Sequence, residues 1–356
     1  MTGTTVEVRP TEEALLQYEL RTQVVEPQRS TFSYLEKRLG DKPATRYEEG
    51  SIGIQPKENF HYRPLWAPDH EIYGADWSAV RLSDPDDFRD PRHYYYAPYV
   101  ANRAELHDAF GKTLDYLEQR GLLMRLPDDW RSLLAEVVLP LRHYESGAQL
   151  LTVLGSRFAE GSTVSQCCTY AAFDRVGNAQ LLSRVGIVLA DGSDELLKAA
   201  KQSWRDDEGL QGLRRLVEEL LLEPDWAVSL LALDLLDRAV YAVVYRHLDE
   251  AALLGGAGAY SLVVQHLSSW FADQRRWLDA LYQAWLSDPA HAEANRALLA
   301  QVVATRLPQV QEAVTQLARG IDARVGAGAV GAADAALAAL REELAAQGLL
   351  GTEATA

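Results

Sequence analysis

The sequence predicts an all-α bundle of long helices, preceded by an irregular arm and followed by a loose tail. Three observations carry this. Apolar residues recur three and four apart from about residue 100 to 321. Turn and capping residues divide that stretch into segments of roughly 25–30 residues, far above the globular mean. Before residue 98 the chain is rich in Pro and aromatic residues and admits only short helices.

Thr11 to Val25 and Ser30 to Leu39 are short helical segments; Gly40 closes the second, and Ser33 and Glu36 have capping-box spacing within it. Pro at 56, 64, 68, 85, 91 and 98 imposes an extended or turning path. The aromatics of that path, among them Phe60, Trp66, Trp77, Phe88 and Tyr94 to Tyr96, must pack elsewhere: on this chain's own helices, over a partner subunit, or both. Residues 1–98 are thus an extended arm and residues 99–320 the bundle.

Within the bundle, Val100 to Gln119 stops at Gly121, and Asp128 or Asp129 caps a helix running to Ala159 with a bend at Pro140. Ser162 to Leu189 ends at Gly192, and Ser193 to Glu195 opens another helix. Glu223 to Asp225 opens a long apolar helix to about Leu254, broken by Gly255, Gly256 and Gly258. Ala259 to Leu286 follows, then a peripheral helix from Ala290 to Ala318, bent or broken at Pro308. Residues 321–356 form an Ala/Gly-rich tail, expected to be mobile, with a weak helix over 334–347.

Composition excludes several functions. A formal charge of −16, from 51 acidic and 35 basic residues, repels phosphate backbones, and no local basic stripe offsets it. The most apolar window, Trp226 to Tyr245, is interrupted by Asp234, Asp237 and Arg238, charges a lipid-facing helix would not carry. The first ten residues lack an export signal, so a cytoplasmic protein is expected. The only cysteines, Cys167 and Cys168, are adjacent, which suits neither metal spacing nor an easy disulfide; they read as buried small residues. The histidines show no zinc-type spacing, and the Gly255–Gly258 run lacks a phosphate-binding pattern.

Ferritin-like carboxylate proteins hold two irons with a Glu from each of two helices and a Glu-x-x-His from each of two others. The only Glu-x-x-His here, Glu58 with His61, lies between Pro56 and Pro64, where no helix holds it. Two helical segments nevertheless keep the frame with its ligands changed: Asp174-Arg175-Val176-Gly177-Asn178 and Asp273-Gln274-Arg275-Arg276-Trp277. Both resemble the Asp-Glu-x-Arg-His signature in the large subunits of bacterial multicomponent monooxygenases. Arg175 and Asn178 occupy the ligand positions of the first frame, Gln274 and Trp277 those of the second. A guanidinium repels iron, amides are poor ligands and indole is none, so no metal, cofactor or catalytic residue is expected in this chain. Glu145, thirty positions before Arg175, aligns with the first-helix carboxylate and is the expected ion-pair partner of Arg175, with Asp237 as the weaker candidate.

The segment Tyr47 to Ala109, with Ile54-Gln55-Pro56 to Trp66 and Asp90-Pro91-Arg92-His93-Tyr94-Tyr95-Tyr96, is similar to the N-terminal region of the phenol hydroxylase small subunit. The resemblance covers roughly residues 10–320 and extends to the toluene, alkene and methane enzymes. It implies a ferritin-like, metal-free beta subunit in an α2β2γ2 hydroxylase whose di-iron centre lies in the large subunit. A flavin/iron-sulfur reductase and a coupling protein would serve that complex, which would use O2 and NADH-derived electrons to hydroxylate a phenol-like aromatic or other hydrocarbon. Two other readings stand beside it: an autonomous di-iron oxygenase using Glu136, Glu145, Asp174, Asp237 and Asp273, or an unrelated acidic helical scaffold.

Overall fold

The computed structural model describes residues 33–56 and 63–350. The chain divides into two compact units, Met1–Glu49 and Gly50–Ala356. The helix expected over Thr11 to Val25, and the Glu58 and His61 pair, lie outside the described residues. Helix α1 (Ser33–Leu39) closes at Gly40, whose φ of 63° suits glycine. Helix α2 (Arg46–Ser51) starts with a reciprocal capping box: Thr45 N donates to Glu48 Oε2 at 2.7 Å and Glu48 N to Thr45 Oγ1 at 3.2 Å.

The larger unit is helical throughout its regular structure among the described residues. Its principal helices are α3 (Tyr96–Gln119), α4 (Asp128–Leu133), α5 (Leu141–Phe158), α6 (Ser162–Leu189), α7 (Glu195–Asp206) and α8 (Glu208–Leu220). They continue as α9 (Trp226–Tyr241), α10 (Leu248–Leu254), α11 (Gly258–Leu286), α12 (Ala292–Val325) and α13 (Ala329–Ala346). The single bent helix expected over 128–159 is two helices: a π-helical turn, Leu134–Val138, follows α4, and Pro140 sits at the N-cap of α5. A second π turn, Ala242–His247, joins α9 to α10.

Helices α5 and α6 form the most extensive pairing, and Gly155 permits it: a Cβ there would meet Cys168 Sγ at 2.6 Å. Cys167 and Cys168 are both free and buried. Helix α9 is buried almost all round and packs on α5 and α12, which identifies it as the central helix.

Two expectations need correction. Pro308 does not break the peripheral helix, which runs unbroken from Ala292 to Val325. Pro308 is on the exposed side, where the carbonyl it leaves unpaired can reach water. The Ala/Gly-rich stretch, expected to hold only a weak helix, forms the 18-residue α13 on α12, with Ala333, Leu337, Leu340 and Leu344 buried.

Residues 50–98 belong to the same unit as the bundle and pack on it. Val80 and Phe88 enter the core, and Trp77 stacks on Phe158 with ring centroids 4.1 Å apart. Gln55 clasps the α5–α6 turn, donating to Ala159 O at 2.8 Å and accepting from Gly161 N at 3.0 Å. Farther along, Asp288 accepts from Ser83 N and Oγ at 2.6 and 2.7 Å, and from Ala290 N and His291 N at 3.0 and 2.9 Å.

Burial alone would raise the Asp288 carboxyl, but these hydrogen bonds from Ser83, Ala290 and His291 outweigh it and hold the group at about 2. A carboxyl depressed in the folded state adds stability above the unfolded carboxylate range, and that stability disappears as pH falls toward the folded value. Asp288→Ala is therefore expected to cost about 2 kcal/mol at neutral pH. Denaturant titrations should show the gap between variant and parent closing as pH falls from about 4 to about 2; a gap independent of pH would count against the assignment.

Candidate functional site

Glu145 on α5, Arg175 and Asn178 on α6, and Asp237 on α9 come together in the bundle centre, all four buried. Arg175 Nη1 donates to Glu145 Oε2 at 3.0 Å, and Nη2 donates to Asp237 Oδ2. Asn178 Nδ2 also reaches Glu145 Oε2, at 3.4 Å. Two tyrosines complete the carboxylates: the Tyr144 hydroxyl donates to Asp237 Oδ1 and that of Tyr241 to Glu145 Oε1, each at 2.6 Å. The Trp270 ring lies over the guanidinium, 4.8 Å from its carbon.

Asp237, the weaker sequence candidate, is thus an ion-pair partner of Arg175 on the same footing as Glu145. Burial opposes the charge on Arg175, but Asp237 and Glu145 overcome it and hold the guanidinium well above its usual range. Burial pushes the Asp237 carboxyl up to about 6, resisted by Arg175 and reinforced by Glu145.

The second frame behaves differently. Gln274 and Trp277 are buried on α11 and satisfy each other, with Trp277 Nε1 donating to Gln274 Oε1 at 2.8 Å. Its Asp273 does not join the central cluster; it meets Asp174 of the first frame at Arg103 on α3. Arg103 grips Asp174 through two hydrogen bonds of 2.8 Å and reaches Asp273 Oδ2 at 2.7 Å. The Tyr99 hydroxyl and Trp270 Nε1 add bonds to Asp174 at 2.8 and 2.9 Å. Arg92, paired with buried Asp90, approaches Asp273 Oδ2 at 3.4 Å.

Sequence reasoning missed Tyr144, Tyr241, Trp270 and Arg103. Their partners are 93, 96, 96 and 71 positions away, so no local spacing announced them. The carboxylates of the autonomous-oxygenase reading do not converge. Glu136 pairs with Arg324 at the surface, Asp174 and Asp273 are held by Arg103, and Glu145 and Asp237 by Arg175.

No group of three or more His, Cys, Asp or Glu side chains placed to hold a metal occurs among the described residues. The donor set does not fit a carboxylate-bridged iron pair: a fixed cation lies between the central carboxylates, and an amide and an indole stand where the second frame would supply ligands.

A family model described as Methane/Phenol/Alkene Hydroxylase matches residues 66–289, well over half of the chain. The chain belongs to this hydroxylase family. It is 37% identical over 303 residues to the phenol 2-monooxygenase oxygenase component DmpL of Pseudomonas sp. (strain CF600), covering 84% of this chain and 90% of that protein. The small subunit of the propane 2-monooxygenase hydroxylase component from Mycolicibacterium smegmatis is 24% identical, covering 85% of each chain. Among solved structures, a chain of xenon-pressurized phenol hydroxylase from Pseudomonas sp. OX1 superposes with a TM-score of 0.82 at 35% identity, covering 90% of this chain and 96% of that one. As a hydroxylase-family chain of the small-subunit type, it has the all-α, ferritin-like bundle its long helices predicted.

Proposed function

We propose that this chain is the metal-free structural beta subunit of a multicomponent hydroxylase, in which the di-iron centre belongs to a separate large subunit. The observation that carries the proposal is Arg175, whose guanidinium supplies between Glu145 and Asp237 the positive charge a metal would otherwise bring. The chain's role is to brace the large subunit's helices and hold the assembly together. A gamma subunit completes an α2β2γ2 hydroxylase in the cytoplasm, served by a reductase and a coupling protein. As a complex it uses O2 and NADH-derived electrons to hydroxylate a phenol-like aromatic.

Leu65 and Trp66, 97% and 70% exposed, leave arm surface available to a partner. Among the described residues no helix is long and apolar enough to cross a membrane.

The test is iron content, measured on the chain expressed alone and on the complex co-expressed with its large partner. The chain alone should hold essentially none, and all iron in the complex should separate with the large subunit. Stoichiometric iron on the isolated, folded chain would overturn the proposal.

A further inference from the structure

A cleft of about 580 Å³ opens between α9 with its π turn, α11 and α13, on the outer side of Tyr241 from the ion pairs of the bundle centre. Its volume falls within the roughly 300–1,000 Å³ typical of small-molecule sites. Tyr241, Phe271 and Leu340 line it; Tyr241 and Leu340 are buried, and the two rings stack with centroids 4.4 Å apart. Ala242, the first residue of the π turn, and Ala339 on α13 leave the space open because neither carries bulk beyond Cβ.

The charges at this cleft are unequally committed. Arg238 is paired with Glu343, and Arg275 with Asp234 and Asp279. Arg246, exposed and lining the same cleft, has no carboxylate partner among the described residues. Asp279 and Glu343 also line the cleft but are held by Arg275 and Arg238, so Arg246 is the charge left over above its aromatic floor. Such a cleft suits a planar apolar body bearing one anionic group.

We infer that this cleft binds a small aromatic carboxylate, its ring against Phe271, which the buried Tyr241 backs, and its carboxylate on Arg246. Tyr241 also donates to Glu145, so the floor of this site is continuous with the buried cluster.

The test uses the full chain and 2-naphthoate as the probe, followed by calorimetry. Saturable one-to-one binding is expected, weakened about tenfold in Arg246→Gln, the scale of a lost charge-assisted hydrogen bond. The neutral analogue 2-naphthol should bind about tenfold more weakly than 2-naphthoate to the parent chain, and equally to parent and Arg246→Gln. Ala339→Trp, which fills the cleft from an exposed position, should abolish binding at an unchanged melting temperature. Absence of saturable binding, or binding indifferent to both substitutions, would overturn the inference.

Discussion

Arg175→Met should be the most damaging single change in this chain. It leaves Glu145 and Asp237 buried and facing each other without a cation, a mechanism that costs roughly 3–5 kcal/mol. Glu145→Ala should be nearly as severe, because it strands one end of the guanidinium and the Tyr241 hydroxyl. The pH dependence carries a definite sign. A carboxyl raised in the folded state binds its proton more tightly there, so its contribution to stability falls as pH rises from the unfolded value to the folded one. For Asp237 that window runs from the ordinary carboxylate range, about 4, up to about 6. Removing Arg175 takes away the force that opposes the rise. Arg175→Met should therefore be closest to the parent in mildly acidic buffer and should lose ground as pH increases. Denaturant midpoints at several pH values measure this, and a penalty that shrinks with rising pH would refute the arrangement.

Asp174→Ala should produce the second large loss. Asp174 receives two hydrogen bonds from Arg103, one from the Tyr99 hydroxyl and one from the Trp270 indole; its removal leaves Arg103 Nε and the indole short of an acceptor in a buried place and leaves the Tyr99 hydroxyl only Tyr170 O at 3.3 Å. Arg103 keeps Asp273, which limits the damage relative to an isolated charge. A loss of roughly 3 kcal/mol follows from breaking a buried pair with a partial substitute remaining. The double variant Asp174→Ala with Arg103→Met, which removes charge and counter-charge together, should recover part of that loss; additive losses would mean that the two residues are energetically independent.

The sequence carried the long helices and the core of the central cluster, and the reasons are local. The thirty-residue interval between Glu145 and Arg175 places both in the same layer of two consecutive helices that pack as neighbours. The underweighted Asp237 stands in an almost wholly apolar helix, where a charge must find a partner, and that signal was readable. Arg103 was not readable. It lies on a surface-facing helix and becomes a hub only because α6 and α11 bring Asp174 and Asp273 to it from 71 and 170 positions away. Pro308 misled because proline's effect depends on which side of the helix it faces, a fact fixed by tertiary packing.

The Gln274 and Trp277 pair bears on how this chain could change over generations. Each group is the hydrogen-bond partner of the other inside a closed interior, so a change at one is felt by the other: Glu at 274 would still accept from the indole but would bury an ionisable group, and His at 277 would leave part of the indole's volume empty. Placing Glu and His at these positions would pass through a less stable single variant in either order, with Arg175 still holding the neighbouring carboxylates. The present side chains are thus entrenched: a valley of less stable intermediates separates this sequence from one with Glu at 274 and His at 277, and drift alone would rarely cross it.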